Sequence, residues 1–242
     1  MVTVSQLQAA SHSSEYQCQD NLNLYDSPEL KALATQAVAG RQLRIVSLPS
    51  KDVPALSVCL CEDGYPGWVA IEDLDLLEPA AEPYQAIDLN EAEIAIRLPQ
   101  VIAYTQAAMR QPNHYLWGGT IGPNYDCSGL VQAAFLSAGI WIPRDAYQQA
   151  AFAQEVHLSD LQAGDLIFFG AATSGQQTRR ITHVGLYLGA NQYIHSSGKD
   201  QGRNGIGIDL LSDSGGAIAQ AYYQQFHSAG RMVSSYRPEA GK

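Results

Sequence analysis

Residues 78–83 read EPAAEP, and no other segment constrains the fold of this chain as strongly. Two prolines, two acids and two alanines offer neither an apolar face to bury nor a full set of backbone donors. Such a stretch reads as a linker, so two domains joined there are expected rather than one continuous core. At 242 residues the chain has room for both. The predicted division is a small domain over 1–80, a linker over 81–94 and a larger domain over 95–242.

Before the linker, short apolar stretches at 16–24, 42–48, 56–60 and 68–71 alternate with the turn residues DSP, AGR, LPS and EDGYPG. Strands this short, at this spacing, predict a small β-barrel. Only Glu29–Ala39 reads as a helical turn or two, stopped by Gly40. After the linker the period changes. Glu91–Arg110 carries Ile94, Leu98, Val101, Ile102, Ala108 and Met109 at helical spacing, with an interruption expected at Pro99. Cys127–Ala138 sets Leu130, Val131, Ala134, Phe135 and Ala138 on one stripe, capped by Gly139. Strands follow at 166–169, 183–189 and 192–197. Helices first and strands afterwards is an α+β order rather than alternating βαβ.

Charge excludes several partners. Fourteen Lys+Arg stand against 24 Asp+Glu, a formal net charge of −10. Nucleic acid offers such a chain no counterion-release gain, and an anionic membrane or acidic wall polymer repels it. No run of 18 apolar residues occurs, so no membrane-spanning helix is predicted. The opening MVTVSQLQAASHSSEYQ lacks the basic and apolar regions of a secretory leader, which leads to the expectation of a cytoplasmic protein.

The cysteines fall at 18, 59, 61 and 127. Cys59 and Cys61 share one face of a predicted strand and read as small buried hydrophobes. Neither a C-x-x-C pair nor zinc-finger spacing is present. Cys127 is different. Asp126 is the expected N-cap of the helix that Cys127 begins, which places the positive end of the helix dipole beside the sulfur and is expected to favour the thiolate. A cysteine at a helix start is still more often structural than reactive, and the case for reactivity rests on His183 and His195. In HVGLYLG, His183 shares a face with Gly185 and Tyr187. The chain turns near 189–192 and returns as YIHSS; a pairing centred on residue 189 sets His195 opposite His183. One imidazole could then take the thiol proton while the other holds its orientation. One cysteine and two histidines are also zinc ligands, but no fourth is evident, so neither metal nor cofactor is predicted. The glycine-rich GKDQGRNGIG at 198–207 matches no nucleotide-binding fingerprint and reads as a loop. The aromatic residues of YLWGG suit either a core or a cleft wall.

YLWGG (115–119), DCSGLVQAAF (126–135), LQAGDLIFF (161–169), HVGLYLG (183–189) and YIHSS (193–197), taken in order, resemble the NlpC-type papain-like cysteine peptidases of bacterial cell-wall metabolism. The likeness spans residues 95–237. LNLYDSPEL, GRQLRIV and EDGYPGWVAIEDLDLLE are similar to a bacterial SH3-like barrel, a domain with which this family is paired. The resemblance implies a γ-D-glutamyl-L-diamino-acid endopeptidase acting on murein peptides such as L-Ala-γ-D-Glu-diaminopimelate. By position it implies Cys127 as nucleophile, His183 as base and His195 as the polar orienting residue. Asp126 and Ser128 would line the acyl side of the cleft, and Tyr115 would stand near the oxyanion hole. Asp145 in PRDA would meet polar groups of the substrate, although Ala146 follows where related enzymes often have Ser or Thr.

Within the first domain, Glu72, Asp73 and Asp75 with Tyr65 form an acidic, phenol-bearing end. Read on their own they are an ordinary solvated face. Beside a substrate they could pair a free α-amine, Glu72 foremost, and so select unblocked peptides. The expected function is hydrolysis of small murein peptides with a free N-terminal L-Ala, in wall recycling. Another papain-like amidase or acyl-transfer enzyme is the alternative within catalysis. A non-catalytic wall-binding protein is the alternative outside it, and such a protein needs no Cys127/His183/His195 set.

Overall fold

The computed structural model describes residues 7, 15–50, 53, 55–172 and 179–238. The segment on which the leader reading rests, before residue 15, lies outside them apart from Leu7. The chain divides into two compact units: the described parts of Met1–Ala86 with Trp117–Ile121 and Arg237–Lys242, and Ile87–Leu116 with Gly122–Tyr236.

The first unit is an antiparallel sheet of seven strands: β1 (Glu15–Cys18), β2 (Leu22–Tyr25), β3 (Leu33–Ala37), β4 (Gln42–Ser47), β5 (Ala55–Leu60), β6 (Pro66–Ala70) and β7 (Leu77–Pro79). Their order is β3-β2-β6-β5-β4-β1-β7. Inward residues from all seven, among them Tyr16, Leu24, Ala37, Leu43, Val58, Val69 and Leu77, meet in one core. The sheet must therefore curl around that core, as an SH3-like fold does. The helical turn expected over Glu29–Ala39 is not formed. Leu33–Ala37 is β3 instead, because Thr35 and Ala37 alternate inward on a strand that Leu22–Tyr25 is placed to pair. The stretch expected as a single strand over 16–24 is two, broken at Gln19–Asn21. Trp117–Ile121 joins this unit through Thr120, whose Oγ1 donates to the Gln36 carbonyl at 2.9 Å. Gly118, at φ +76°, lies so close to the Leu33 carbonyl that a Cβ would stand 2.5 Å from its oxygen.

The second unit begins with α1 (Glu91–Met109), started by an Asn90–Glu93 capping box. This helix runs through Pro99 without the expected interruption. Proline removes the bond to the carbonyl four residues back, that of Ala95, and both residues are exposed, so water can serve that carbonyl. α2 (Cys127–Ser137) is buried through its first nine residues, and α3 (Ala146–Phe152) follows. The strands are β8 (Gln154–Val156), β9 (Leu166–Ala172), β10 (Arg179–Gly189), β11 (Gln192–Ser197), β12 (Gly205–Leu210) and β13 (Phe226–Arg231), with α4 (Ala217–Tyr223) between the last two. They form one antiparallel sheet, ordered β12-β11-β10-β9-β13-β8. One face packs Phe168, Val184, Leu186 and Ile194 against Ile94 and Val101 of α1 and Val131 and Phe135 of α2. The other gathers Ile167, Phe169, Tyr187, Tyr193 and, from α4, Tyr222. Each unit thus has its own core, and the whole is α+β.

Candidate active site

Cys127 is the first residue of α2. Asp126 caps the helix from an extended conformation, its Oδ1 accepting the Gly129 N–H at 2.6 Å. Asp126 is itself held by Arg144, whose Nη2 donates to Oδ2 at 2.6 Å and whose Nη1 donates to Oδ1 at 3.2 Å and to Ser128 Oγ at 2.9 Å. Arg144 is 2% exposed, so this pair is shielded from water. Asp126 and Ser128 are drawn together as expected, but the Asp126 carboxylate is committed to the helix and the guanidinium.

His183 on β10 and His195 on β11 lie on the face that also carries Tyr187 and Tyr193. His183 Nε2 is 2.7 Å from His195 Nδ1. The pairing centred on residue 189 does not occur. Leu186 faces Ile194 and Tyr187 faces Tyr193, a register that, extended, sets His195 opposite Gly185. The cause is the two-residue turn of Ala190 and Asn191, both at positive φ (49° and 61°), which moves the centre of the hairpin along the chain. The histidines are therefore diagonal neighbours, still on one face. A Cβ on Gly185 would stand 2.6 Å from Tyr193 Cδ2 and 3.4 Å from His195 Cβ, so only glycine leaves room there.

Other groups complete the cluster. The backbone N–H groups of Val184, next to His183, and of Ser128 lie against the Cys127 sulfur. Ser196 Oγ donates to the Tyr125 carbonyl at 2.7 Å, which ties the strand bearing His195 to the segment just before Cys127. Tyr222 stacks on His183 with ring centroids 4.5 Å apart and shares a hydrogen bond with Ser197 at 2.7 Å. Tyr115 is half-buried close to Cys127, Asp126 and Tyr222; burial, with those three neighbours, raises its phenol pKa, so it stays an O–H donor. Past His195, Nε2 lies 2.7 Å from Asp209 Oδ2, and Arg203 Nη1 lies 2.9 Å from the same oxygen.

The expected thiolate is not favoured. Burial, reinforced by the Asp126 carboxylate, pushes the Cys127 thiol up to about 12, against the pull of the Val184 and Ser128 N–H groups and Arg144. Burial also holds the His183 imidazole well below its ordinary value, and His195 adds to this. The pair rests as neutral thiol and neutral imidazole, and burial outweighs the helix start.

The remaining predicted residues lie on other elements. Asp145 is the N-cap residue of α3, its N–H donating to Gln148 Oε1 at 3.0 Å. Glu72 lies on a six-residue 3-10 helix, Ile71–Leu76, of the first unit, and Tyr65 is half-buried against that unit's core. Cys18 and Cys61 are buried and Cys59 is half-buried. Among the described residues no group of three or more His, Cys, Asp or Glu side chains is arranged to hold a metal ion. Sequence reasoning missed Arg144, Ser196, Arg203, Asp209 and Tyr222. Arg203 lies in the middle of residues 198–207, predicted as a plain loop, which in fact hold a 3-10 turn (Lys199–Gln201) and the start of β12. An acid within the apolar run GIGIDL was the one available signal for Asp209.

A thiol at a helix start, the Val184 N–H against its sulfur and, next to Val184, a buried imidazole in contact with a second one make a constellation suited to thiol chemistry. Residues 112–229 match the NlpC/P60 family, and residues 24–74 match the bacterial dipeptidyl-peptidase SH3 domain. The chain combines an NlpC/P60 domain with an SH3 domain of that kind. It is 43% identical over 98 residues to the gamma-D-glutamyl-L-lysine dipeptidyl-peptidase of Bacillus subtilis (strain 168), covering 40% of this chain and 30% of that protein. Over 84 residues it is 42% identical to the same organism's bifunctional muramidase/DL-endopeptidase, covering 34% of this chain and 25% of that one. Over 84 residues it is also 39% identical to the murein DD-endopeptidase/murein LD-carboxypeptidase of Escherichia coli (strain K12), covering 34% of this chain and 42% of that one. In each case the match spans less than half of the relative. Among solved structures, an NlpC/P60 family protein from Bacillus cereus ATCC 10987 aligns over 95% of this chain and 66% of its own at 24% identity, with a TM-score of 0.48.

Proposed function

We propose that the protein is a cysteine endopeptidase that cleaves the bond between γ-D-Glu and the diamino acid of small murein peptides bearing a free N-terminal L-Ala. The observation that carries this reading is the His183–His195 couple, with 2.7 Å between the facing ring nitrogens, and the residue next to His183, Val184, which sets its N–H against the sulfur of a cysteine that opens a helix. With Nε2 engaged by His195, the ring nitrogen left to His183 for taking the thiol proton is Nδ1. As the sulfur attacks the amide carbonyl, the proton passes to that nitrogen. The imidazolium then protonates the leaving amine, and a thioester remains on Cys127. Water adds to the thioester with His183 again as base, releasing the acid and restoring the thiol. The protonated Tyr115 phenol is suited to donate to the developing oxyanion. The relatives' names support murein as the substrate class. The net charge of −10 favours short released peptides over an anionic wall, in keeping with a recycling role.

Selection for a free amine belongs to the same proposal. Glu72, Asp73 and Asp75 are close enough for the first and third to raise the Asp73 carboxyl, after burial as the larger cause. Such a group favours a cation. The test is a digest of L-Ala-γ-D-Glu-diaminopimelate analysed by mass. Release of L-Ala-D-Glu and free diaminopimelate is expected, and an unchanged tripeptide would overturn the reading.

A further inference from the structure

The hydrogen-bonded chain behind Cys127 continues past both histidines and ends on a fixed charge. His195 is fully buried, and its Nε2 faces Asp209 Oδ2 at 2.7 Å. Arg203 grips both oxygens of that carboxylate, with Nη1 2.9 Å from Oδ2 and Nη2 donating to Oδ1 at 3.0 Å. Space for the guanidinium is kept by Gly207, the residue opposite His195 on β12, where a Cβ would overlap Arg203 Nη1. Burial pushes the Asp209 carboxyl up, but His195 and Arg203 outweigh it and hold it below its ordinary value.

An ionised carboxylate only accepts. His195 must therefore carry its proton on Nε2, which leaves a lone pair on Nδ1. That lone pair accepts from His183 Nε2–H. His183 is in turn left with an unprotonated Nδ1, the form a general base needs. The opposite assignment would place a lone pair of His195 against a carboxylate oxygen and close the acceptor on His183. We propose that Asp209, held by Arg203, is a positioning residue that sets the tautomers of both histidines through hydrogen bonds and so keeps His183 able to accept the thiol proton. Asp209 touches neither substrate nor sulfur and acts only through His195. The two strands that carry it to this place, β11 and β12, pair over their full length from Gln192↔Leu210 to Ser197↔Gly205.

The experiment is ¹⁵N-histidine NMR of the full chain together with kinetics of Asp209→Asn. In the wild type, the ring nitrogens of His183 and His195 should both report N–H on Nε2. An asparagine amide can donate where the carboxylate accepted. In the variant both histidines should therefore move to Nδ1–H, with kcat falling about 10²-fold or more, KM within about twofold and the melting temperature little changed. In a His195→Ala background the chain is already cut, so adding Asp209→Asn should cost less than about threefold. Nδ1–H on either histidine in the wild type would overturn the inference, as would unaltered tautomers and kcat in the variant or an equal loss in both backgrounds. Should Asp209→Asn fail to fold, the wild-type spectrum alone decides. The kinetic arm rests on the peptidase reading and the spectroscopic arm does not, so inactivity on murein peptides with the expected tautomers would defeat the function and leave this inference standing.

Discussion

Cys127 and His183 are neutral at rest for the same reason: burial costs a charge more than the nearby dipoles return. This has opposite consequences for stability on the two sides of neutrality. The depressed His183 value means that the unfolded chain takes up a proton first as pH falls, so its contribution is full above the unfolded value of about 6.5 and lost below it. The raised Cys127 value means that the unfolded thiol ionises first as pH rises, so stability is lost above about 8.5. A plot of melting temperature against pH should therefore be flat between those limits and fall on both sides. In Cys127→Ala the alkaline fall should be shallower, and an unchanged alkaline limb would contradict the assignment. Substitutions at the histidines divide by role. His183→Ala should remove activity about as fully as loss of the sulfur, since both proton transfers use it. His195→Asn, which can still accept a hydrogen bond, should keep more activity than His195→Ala. Equal rates for the two His195 variants in a steady-state assay would remove hydrogen bonding from its role.

At the scale of elements, the hairpin of β10 and β11 shows what the sequence made legible and what it hid. Alternation set His183 on one face with Gly185 and Tyr187, and His195 on one face with Tyr193, because period-2 patterning is a property of the strand itself; that the two sets share a face also required an assumed register. Register was not legible, since it depends on the turn, and Ala190 and Asn191 are not the glycine-rich pair that announces a two-residue hairpin. The cap at Asp126 was readable from four residues. Its partner Arg144 was not, because the contact is made across the fold. Gly185 gives a prediction at this scale. A Cβ pressed on Tyr193 must displace that ring or the neighbouring His195, so Gly185→Ala should lower kcat by more than tenfold, roughly 1.4 kcal/mol, while the fold survives. Comparing kcat with circular dichroism of the same sample checks it, and full activity would show the hairpin to be looser than drawn. Ser196→Ala removes the tie from β11 to the segment before Cys127 and should cost about 1 kcal/mol of stability in a denaturant melt.

For the whole molecule, the change of period around EPAAEP separated two kinds of packing, and among the described residues each unit packs its own core. What composition could not reveal is that Trp117–Ile121, in the middle of the second pattern, belongs to the first unit. That assignment rests on Gly118 and Thr120 meeting β3, a contact between segments some 84 positions apart, such as that of Thr120 with Gln36. The acidic end of the first unit carries the last substrate prediction. N-acetylating the alanine of the tripeptide removes the cation that Glu72 and its neighbours are proposed to pair, and should lower kcat/KM by about 10²-fold or more. Equal rates on free and acetylated peptide would leave the first unit without a part in selection.

One comparison decides whether the Cys127 sulfur performs the hydrolysis. Wild type and Cys127→Ala, matched by thermal melt, should be incubated with L-Ala-γ-D-Glu-diaminopimelate and the release of diaminopimelate followed by mass spectrometry. The wild type is expected to release it, and the variant to release none while melting within a few degrees of the wild type. Release at comparable rates by both proteins would remove the Cys127 sulfur from the reaction.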